Sequence, residues 1–321
     1  MPPVDDEAWH IRYFYGLRVL SRWSLPYVTP VVPWHGDVAF LDGNQRQFGA
    51  MFDEGRLLAR TRTPWLLTAT LASDVVFFRW AGQFEFLISK DGRTVVSRRL
   101  HSAPDDAFHA CLLGPALSYA LLRQGFEPLH ATACVRDGSA IAFMGVSGRG
   151  KSTLAAGFLR GGHKLLTDDQ LVLTPSGDRY VAHPGPPQLK LHPAIARDVL
   201  GLTACAAPMA PTSTKHLYTM PTSDEGRLPP AIDAIYLLGP PTSARRVTIR
   251  RLSMRRACLA ILKHTFNMRL TDPARLHRQF LLATDVAARI PIKLLSYSRE
   301  LSALSEVRDA VVADVGRSSC S

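Results

Sequence analysis

Residues 140–173 read AIAFMGVSGRGKSTLAAGFLRGGHKLLTDDQLVL, and the order of textures in this stretch decides the fold. An apolar run, Ala140 to Met144, leads straight into Gly145-Val146-Ser147-Gly148-Arg149-Gly150-Lys151-Ser152, and Leu154 to Leu159 continues as a helix. The glycine-rich segment meets the pattern Gly-x-x-x-x-Gly-Lys-Ser/Thr with a strand before it and a helix after it, the context that gives the pattern meaning. Glycines let the backbone curl until successive N–H groups face one concavity, and the N-terminus of the next helix adds its positive dipole there. Such a P-loop takes the α- and β-phosphates of ATP. Lys151 is then expected at the β- and γ-phosphates and the Ser152 hydroxyl on Mg2+, with Gly145, Ser147, Gly148, Arg149, Gly150 and Thr153 completing the cradle. The alternative is a purely structural turn.

Asp168 and Asp169 follow Lys151 by seventeen and eighteen residues, at the end of the apolar pair Leu165-Leu166. A strand ending there delivers both carboxylates to the rim of the phosphate site. Phosphoryl transfer to a hydroxyl needs one carboxylate to orient the nucleophile and take its proton, and another to hold the metal. A solvated turn or a helix cap is the other use of such a pair. His130, in Leu129-His130-Ala131-Thr132, falls on the strand expected beside the P-loop strand, where it is either a packed polar residue or a catalytic one. Lys190 in PPQLKLHP and Lys215 in STKHLYTMP are further cations that could meet a phosphate or substrate, or be ordinary surface lysines.

Outward from this core, Ile11 to Leu20 suits a strand, and the stretch from Pro26 to Gly55 is rich in turn residues. Short strands are expected near 74–80, 83–88 and 94–99, with Ala81-Gly82 and Asp91-Gly92 as hairpin turns. Residues 1–105 therefore read as a small antiparallel-sheet domain, 106–126 as a linking helix stopped at Gly125, and 127–321 as the α/β catalytic domain. Within the last, Leu129 to Val135 is a strand. Pro184 to Pro187 is a break, Pro193 to Leu202 a helix, and 203–227 a mobile loop. Ala231 to Leu238 is a strand, 254–264 and 273–288 are helices, 290–295 a strand and 301–312 a closing helix. Strands alternating with helices imply a largely parallel or mixed sheet.

The 321 residues, with 46% hydrophobic and 20% charged side chains, exclude a disordered or fibrous chain. Lys and Arg outnumber Asp and Glu by 38 to 27. Arg245-Arg246, Arg250-Arg251 and Arg255-Arg256 concentrate this excess, as a solvated face or as a docking surface for an acidic or phosphate-bearing partner. No nucleic-acid-binding signature accompanies them. The five cysteines (Cys111, Cys134, Cys205, Cys258, Cys320) form no Cys-x-x-Cys pair and read as reduced thiols. With no secretory signal and no apolar run long enough for a membrane span, the cytoplasm is the expected location.

FMGVSGRGKSTLAAGFLRGGHKLLTDDQLVL, together with His130, resembles the kinase core of HPr kinase/phosphorylase and of the HPr-kinase-related proteins. Pro184 to Leu191, Lys215-His216, Ala234 to Leu238, Ala287 to Pro291 and the N-terminal Tyr15-Gly16-Leu17 are similar to the related subgroup, which includes tailoring kinases of lasso-peptide precursors. The resemblance implies a P-loop kinase core of HPr-kinase (PEP-carboxykinase-like) type with a smaller N-terminal α+β domain. It implies ATP and Mg2+ as cofactors, and transfer to a serine of a peptide or small protein. Asp168 is then the catalytic base, Asp169 supports it or joins Ser152 on the metal, His130 and Lys151 position the γ-phosphate, and Lys215 is a loop lysine of the site. The Glu-x-Arg-Gly-type signature of the bifunctional enzymes has no counterpart in TPSGDRYVAHPGPPQLKLHP, so HPr and phosphorylase activity do not follow. A kinase of a small hydroxylated metabolite and an ATP-binding regulatory module without transfer are the alternatives. Expected partners are ATP, the serine-bearing acceptor and further copies of the chain, with neither nucleic acid nor membrane among them.

Overall fold

The computed structural model describes residues 9–318 apart from 28, 30, 32, 53–55, 61–65, 71–73, 81, 101–103, 204–212, 222–227, 243–245 and 267–271. The chain is of mixed α/β type and divides into two compact units. Met1–Phe126 with Asn267–Thr271 form the first, and Glu127–Phe266 with Asp272–Ser321 the second. Among the described residues no helix is long and apolar enough to cross a membrane.

The first unit contains β1 (His10–Phe14), β2 (Leu17–Ser21), β3 (Gly36–Asp42), α1 (Gln45–Phe52), β4 (Arg56–Arg60), β5 (Leu66–Thr70), β6 (Val76–Trp80), β7 (Phe84–Ile88) and β8 (Thr94–Arg99). Its helical end comprises α2 (Asp105–Cys111), a π-turn (Leu112–Ala116) that accommodates Pro115, and α3 (Leu117–Arg123). The single strand expected over 11–20 is instead a hairpin. Tyr15 and Gly16 both take positive φ, 57° and 80°, the backbone of a tight turn whose twist matches that of its strands. The stretch expected to be rich in turns also holds β3 and α1. The sheet is mixed rather than antiparallel: its order is β1-β2-β3-β8-β7-β6-β5-β4, and β3 runs parallel to both β2 and β8. The long connection between Ser21 and Gly36 makes the first parallel pair feasible, since parallel neighbours need a crossover. The helical segment lies within this unit, with the Phe108 ring 5.8 Å from Phe86 and 5.9 Å from Phe84.

The second unit starts with the hairpin β9 (Ala131–Arg136) and β10 (Ser139–Met144), continues through α4 (Lys151–Arg160), and reaches β11 (Lys164–Thr167), β12 (Leu173–Ser176), β13 (Arg179–Ala182) and β14 (Gln188–Leu191). Then come α5 (Pro193–Leu200), β15 (His216–Thr219), β16 (Ile232–Leu238), β17 (Thr248–Arg251), α6 (Met254–Lys263), α7 (Pro273–Arg289), β18 (Ile292–Ser296) and α8 (Leu304–Ser318). The main sheet has the order β11-β9-β10-β16-β18-β17, with β10, β16 and β18 parallel and the others antiparallel. Alternate side chains of a strand face opposite ways, and here both faces are covered. Ile141, Phe143, Tyr236 and Leu295 pack with Leu154 and Phe158 of α4 and Val307 and Val311 of α8. Ala140, Ala142, Ile235 and Ile292 pack with Ala257 and Ile261 of α6 and Ala283 and Val286 of α7.

Two further differences from the sequence expectation bear on function. The segment 203–227 is not one loop: β15 lies inside it and pairs with β14, Lys190 opposite Leu217 and Leu191 opposite His216. Residues 204–212 and 222–227 of that segment fall outside the described residues. The proline-rich break is followed at once by β14, the strand that carries Lys190.

Candidate functional site

β10 ends at Met144, and the chain turns through Gly145 to Gly150 before α4 starts. This is the carboxyl end of a parallel strand in an open sheet, where ligands of α/β proteins generally bind. Gly148 and Gly150 hold φ of 82° and 86°, a left-handed backbone that any side chain would strain. Gly150 is the residue before α4, and its carbonyl accepts from the Leu154 N–H at 2.8 Å. The N–H groups of a helix's first turn have no carbonyl one turn back to bond, so α4 presents those of Lys151, Ser152 and Thr153 at its start. There Ser147, Gly148, Gly150, Lys151, Ser152 and Thr153 line a cavity shared with His130, Asp169, Lys190, Leu191, His192 and Lys215.

The Lys151 ammonium donates to the Gly145 carbonyl at 2.8 Å and to Nε2 of His130 at 2.9 Å. Nδ1 of His130 lies 3.1 Å from the main-chain oxygen of Asp169. A carbonyl can only accept, so Nδ1 carries the proton and Nε2 offers its lone pair to Lys151, which defines the neutral Nδ1–H tautomer. Burial, seconded by the Lys151 charge, pushes the His130 pKa down, in agreement with that assignment. Burial also lowers Lys151, against the pull of Asp169 and Asp168. The main chain holds the ring in place, because the His130 N–H donates to the His264 carbonyl at 2.6 Å, and the Phe266 ring stands edge-on 5.7 Å away.

The two acids have different surroundings. Asp168 is buried and accepts from the Thr132 hydroxyl at 2.6 Å, the Ser152 hydroxyl at 3.1 Å and the Lys190 main-chain N–H at 3.0 Å. Burial, and then the neighbouring Asp169, push its pKa up against those hydrogen bonds. Asp169 takes a positive φ of 70°, a strained conformation for a non-glycine residue, and this turns its carboxylate away from Asp168 to pair with the Lys190 ammonium. Burial works against its charge, but Lys190, with help from Lys151, outweighs that and holds the carboxyl well below its ordinary range. Asp169 lines the cavity, whereas Asp168 sits behind Ser152.

The structure thus brings together His130, Lys151, Ser152, Asp169, Lys190 and Lys215 around one cavity. The expectation that Ser152 and Asp169 would share a metal meets a different geometry, because the carboxylate bonded to Ser152 is Asp168. Arg149 does not line the cavity, and its N–H closes a turn onto Val146. Gly145 contributes its carbonyl, which binds Lys151 rather than phosphate. Thr132 and His192 are additions that sequence reasoning missed. Thr132 could have been found from the alternation of β9, which sets it on the face opposite Ala131 and Ala133. His192, whose Nδ1 lies 3.2 Å from the Thr214 carbonyl, had no local signal.

A hydroxyl and a carboxylate side by side are the oxygen-only donor set that Mg2+ accepts, and Ser152 with Asp168 fit it. Among the described residues no three His, Cys, Asp or Glu side chains converge as a metal site. A cation here would therefore be shared between Ser152, Asp168 and phosphate oxygens, the usual arrangement for Mg2+.

No protein-family model matches the chain, and no curated protein matches it in sequence. Among solved structures it is similar to the Hpr(Ser) kinase/phosphatase from Coxiella burnetii, with 14% identity, 58% of this chain and 97% of that chain covered, and a TM-score of 0.30. A likeness of that size carries no argument about the reaction, which has to rest on the geometry of the site.

Proposed function

We propose that the β10–α4 loop binds the phosphates of ATP and that the second unit, a P-loop kinase core of HPr-kinase type, transfers the γ-phosphoryl group to the hydroxyl of a serine in a peptide or small protein. The observation that carries this reading is the division between the two acids: one is fixed behind Ser152 and the other faces the cavity beside a lysine. An ATP-binding module without transfer has no use for the second.

In this reading the amides at the start of α4 and the glycine turn hold the phosphates, and Lys151 swings from the Gly145 carbonyl and His130 onto the β- and γ-phosphates. Ser152 and Asp168 would hold Mg2+, which supplies neutralisation of phosphate charge and orientation of the chain of phosphates. Asp169 accepts a hydrogen bond from the serine hydroxyl. The new bond joins the serine oxygen to the γ-phosphorus, the bond from that phosphorus to the β–γ bridging oxygen breaks with its electron pair leaving on ADP, and the serine proton passes to Asp169. By basicity alone Asp168 would be the better base, since its pKa is raised and that of Asp169 lowered. Geometry favours Asp169, because a base must reach the proton before its strength matters, and Asp168 is engaged by three donors. The loose transition state of phosphoryl transfer also asks little of the base until late, so a weakly basic carboxylate that orients the hydroxyl suffices. Lys190 keeps that carboxylate ionised, and Lys215 adds positive charge near the transferring group.

The test is transfer from γ-labelled ATP to a serine peptide pool. Asp169→Asn should retain nucleotide binding and lose about 10²–10⁴-fold in transfer, the range for a positioned acid–base group. Lys151→Ala should lose both. Unchanged transfer in Asp169→Asn would remove that residue from its role, and nucleotide binding without transfer to any serine acceptor would overturn the reaction itself.

A further inference from the structure

Between Asp233 and Asp272 the sequence contains no Asp or Glu but eight Lys and Arg: Arg245, Arg246, Arg250, Arg251, Arg255, Arg256, Lys263 and Arg269. This one stretch supplies eight charges towards the formal excess of +11, and the site described above uses none of them. The fold gathers those in β17 and α6 into one place. β17 is an edge strand of the main sheet, and Arg250, Arg251, Arg255, Arg256 and Lys263 are all exposed. Among the described residues Arg250, Arg251, Arg255 and Arg256 have no carboxylate partner. Leu252 packs with α6 on one side of the sheet while Ile249 packs on the other, so strand alternation puts Arg250 on the α6 side and Arg251 on the opposite side. On α6 the residues 255, 259 and 263 follow at four-residue spacing and share a face. That face is not purely cationic, because Leu259 stands 49% exposed between Arg255 and Lys263, and Met254 at the helix start is 49% exposed as well.

Protection of a sheet edge against self-association explains one or two charges on β17. It does not explain the continuation of unneutralised charge onto a helix, which costs self-repulsion, nor half-exposed leucine and methionine side chains among the arginines. The edge has its own hydrogen-bonding requirement. Leu252 donates to the Ile292 carbonyl at 2.9 Å, which places the even-numbered residues of β17 in the ladder with β18 and turns the N–H and C=O of Ile249 and Arg251 outward. Outward carbonyls need donors. A nucleic-acid backbone has only acceptors in its phosphates, and α6 exposes no aromatic ring for a base to stack on. An extended polypeptide has both donors and acceptors. A second copy of β17 would set arginine against arginine.

We propose that the free edge of β17 and the outer face of α6 form a docking surface for an acidic polypeptide segment that also carries aliphatic side chains. The segment adds to the edge strand, its carboxylates meet Arg250, Arg251, Arg255 and Arg256, and its apolar groups cover Leu259 and Met254. The surface does not depend on the phosphoryl-transfer reading, and its test needs no turnover.

Fluorescence anisotropy with the full chain, at low and then rising salt, provides that test. The probes are a labelled peptide of about twelve residues made of Asp and Glu with two leucines, and an oligouridylate of equal charge, since purely electrostatic binding would treat the two alike. The peptide should bind more tightly than the oligouridylate. Arg255→Glu with Arg256→Glu should weaken it at least about tenfold, and so should Arg250→Glu with Arg251→Glu, as expected where paired charges change sign. Leu259→Ser should weaken the peptide about three- to tenfold and leave the oligouridylate unchanged, since only the former buries it. Lys164→Glu, at the opposite edge of the same sheet, should change neither. All these positions are exposed, and either arginine pair suffices if the other variant melts early. No peptide binding at low salt, equal effects of the arginine pairs and Lys164→Glu, or tighter binding of the oligouridylate with no effect of Leu259→Ser would each overturn the proposal.

Discussion

Two acid–base pairs of the second unit have the same chemistry and opposite surroundings. Glu127 and Arg275 meet at 3.1 Å with side chains 2% and 1% exposed, and Arg275 also donates to the Phe266 carbonyl. Asp169 and Lys190 meet at the cavity, with side chains 29% and 11% exposed. Burial raises the Glu127 pKa and lowers that of Arg275 more than their mutual attraction can correct, whereas Lys190 overcomes burial at Asp169. The closed pair pays its desolvation to fix position. It joins the start of α7 to the segment 127–130 and to Phe266, and Phe266 in turn donates its N–H to the Pro128 carbonyl and flanks His130. The open pair keeps a carboxylate charged at the edge of the cavity. Enclosure makes an ion pair a clamp, and access leaves its charge facing the cavity.

The largest effect should come from breaking the closed pair. Arg275→Ala leaves the buried Glu127 carboxylate with only the exposed Arg278 guanidinium, at 3.7 Å, as its charge partner and should cost about 3 kcal/mol in denaturant unfolding. Arg275→Met combined with Glu127→Leu should return most of that stability, because a buried pair replaced by apolar groups of similar volume is often neutral. If the double variant stays as unstable as the single one, the clamp acts through its hydrogen bond to Phe266 rather than through charge. The open pair should respond in the opposite sense. Lys190→Ala should cost less stability than Arg275→Ala, since its partner Asp169 keeps 29% exposure, yet lower phosphoryl transfer by about 10²–10³-fold, as for loss of a positioned electrostatic group. A large loss of stability with intact transfer would reverse the two assignments.

The smallest effect is the pH dependence, where the signs differ. Glu127 binds its proton more tightly in the fold than at its ordinary 4.5, so its contribution is largest at low pH and declines as pH rises through the raised value. Asp169 binds its proton less tightly than at its ordinary 3.8, so its contribution is complete above that value and is lost as pH falls through the lowered one. In unfolding titrations without nucleotide and with chelator, Glu127→Gln should flatten the decline above pH 4.5. Asp169→Asn should flatten the acid limb below pH 3.8. Matching changes in both variants would show that the two pairs are not independent.

What could be read from the sequence was whatever local chemistry decides. Gly145 to Ser152 declares its turn and its helix start within a few residues, and Asp168-Asp169 follows close behind. The hairpin of β9 and β10 is announced by Asp137-Gly138, both at positive φ. The strand β3 was hidden because its interior, Val38-Ala39-Phe40, is buried without alternation, and its parallel neighbours come from distant parts of the chain. β15 was lost in a segment of Ala, Pro, Thr and Ser because its pairing with β14 is tertiary. The division between Asp168 and Asp169 depends on a backbone angle that adjacent identical residues do not disclose. Arg275 did leave a trace: the buried stripe of α7 runs Arg275, Gln279, Ala283, Val286, and polar residues on an otherwise core-facing stripe signal a buried partner, though not which one.

Lys190 serves the two acids by different means. Its main-chain N–H holds Asp168 and its side chain holds Asp169. The first bond survives any substitution at that position except proline, while the second disappears with a single altered codon. Mutation can therefore reset the cavity-facing carboxylate while the carboxylate behind Ser152 stays in place, so that drift at one codon alters the charge of this site before it alters its framework.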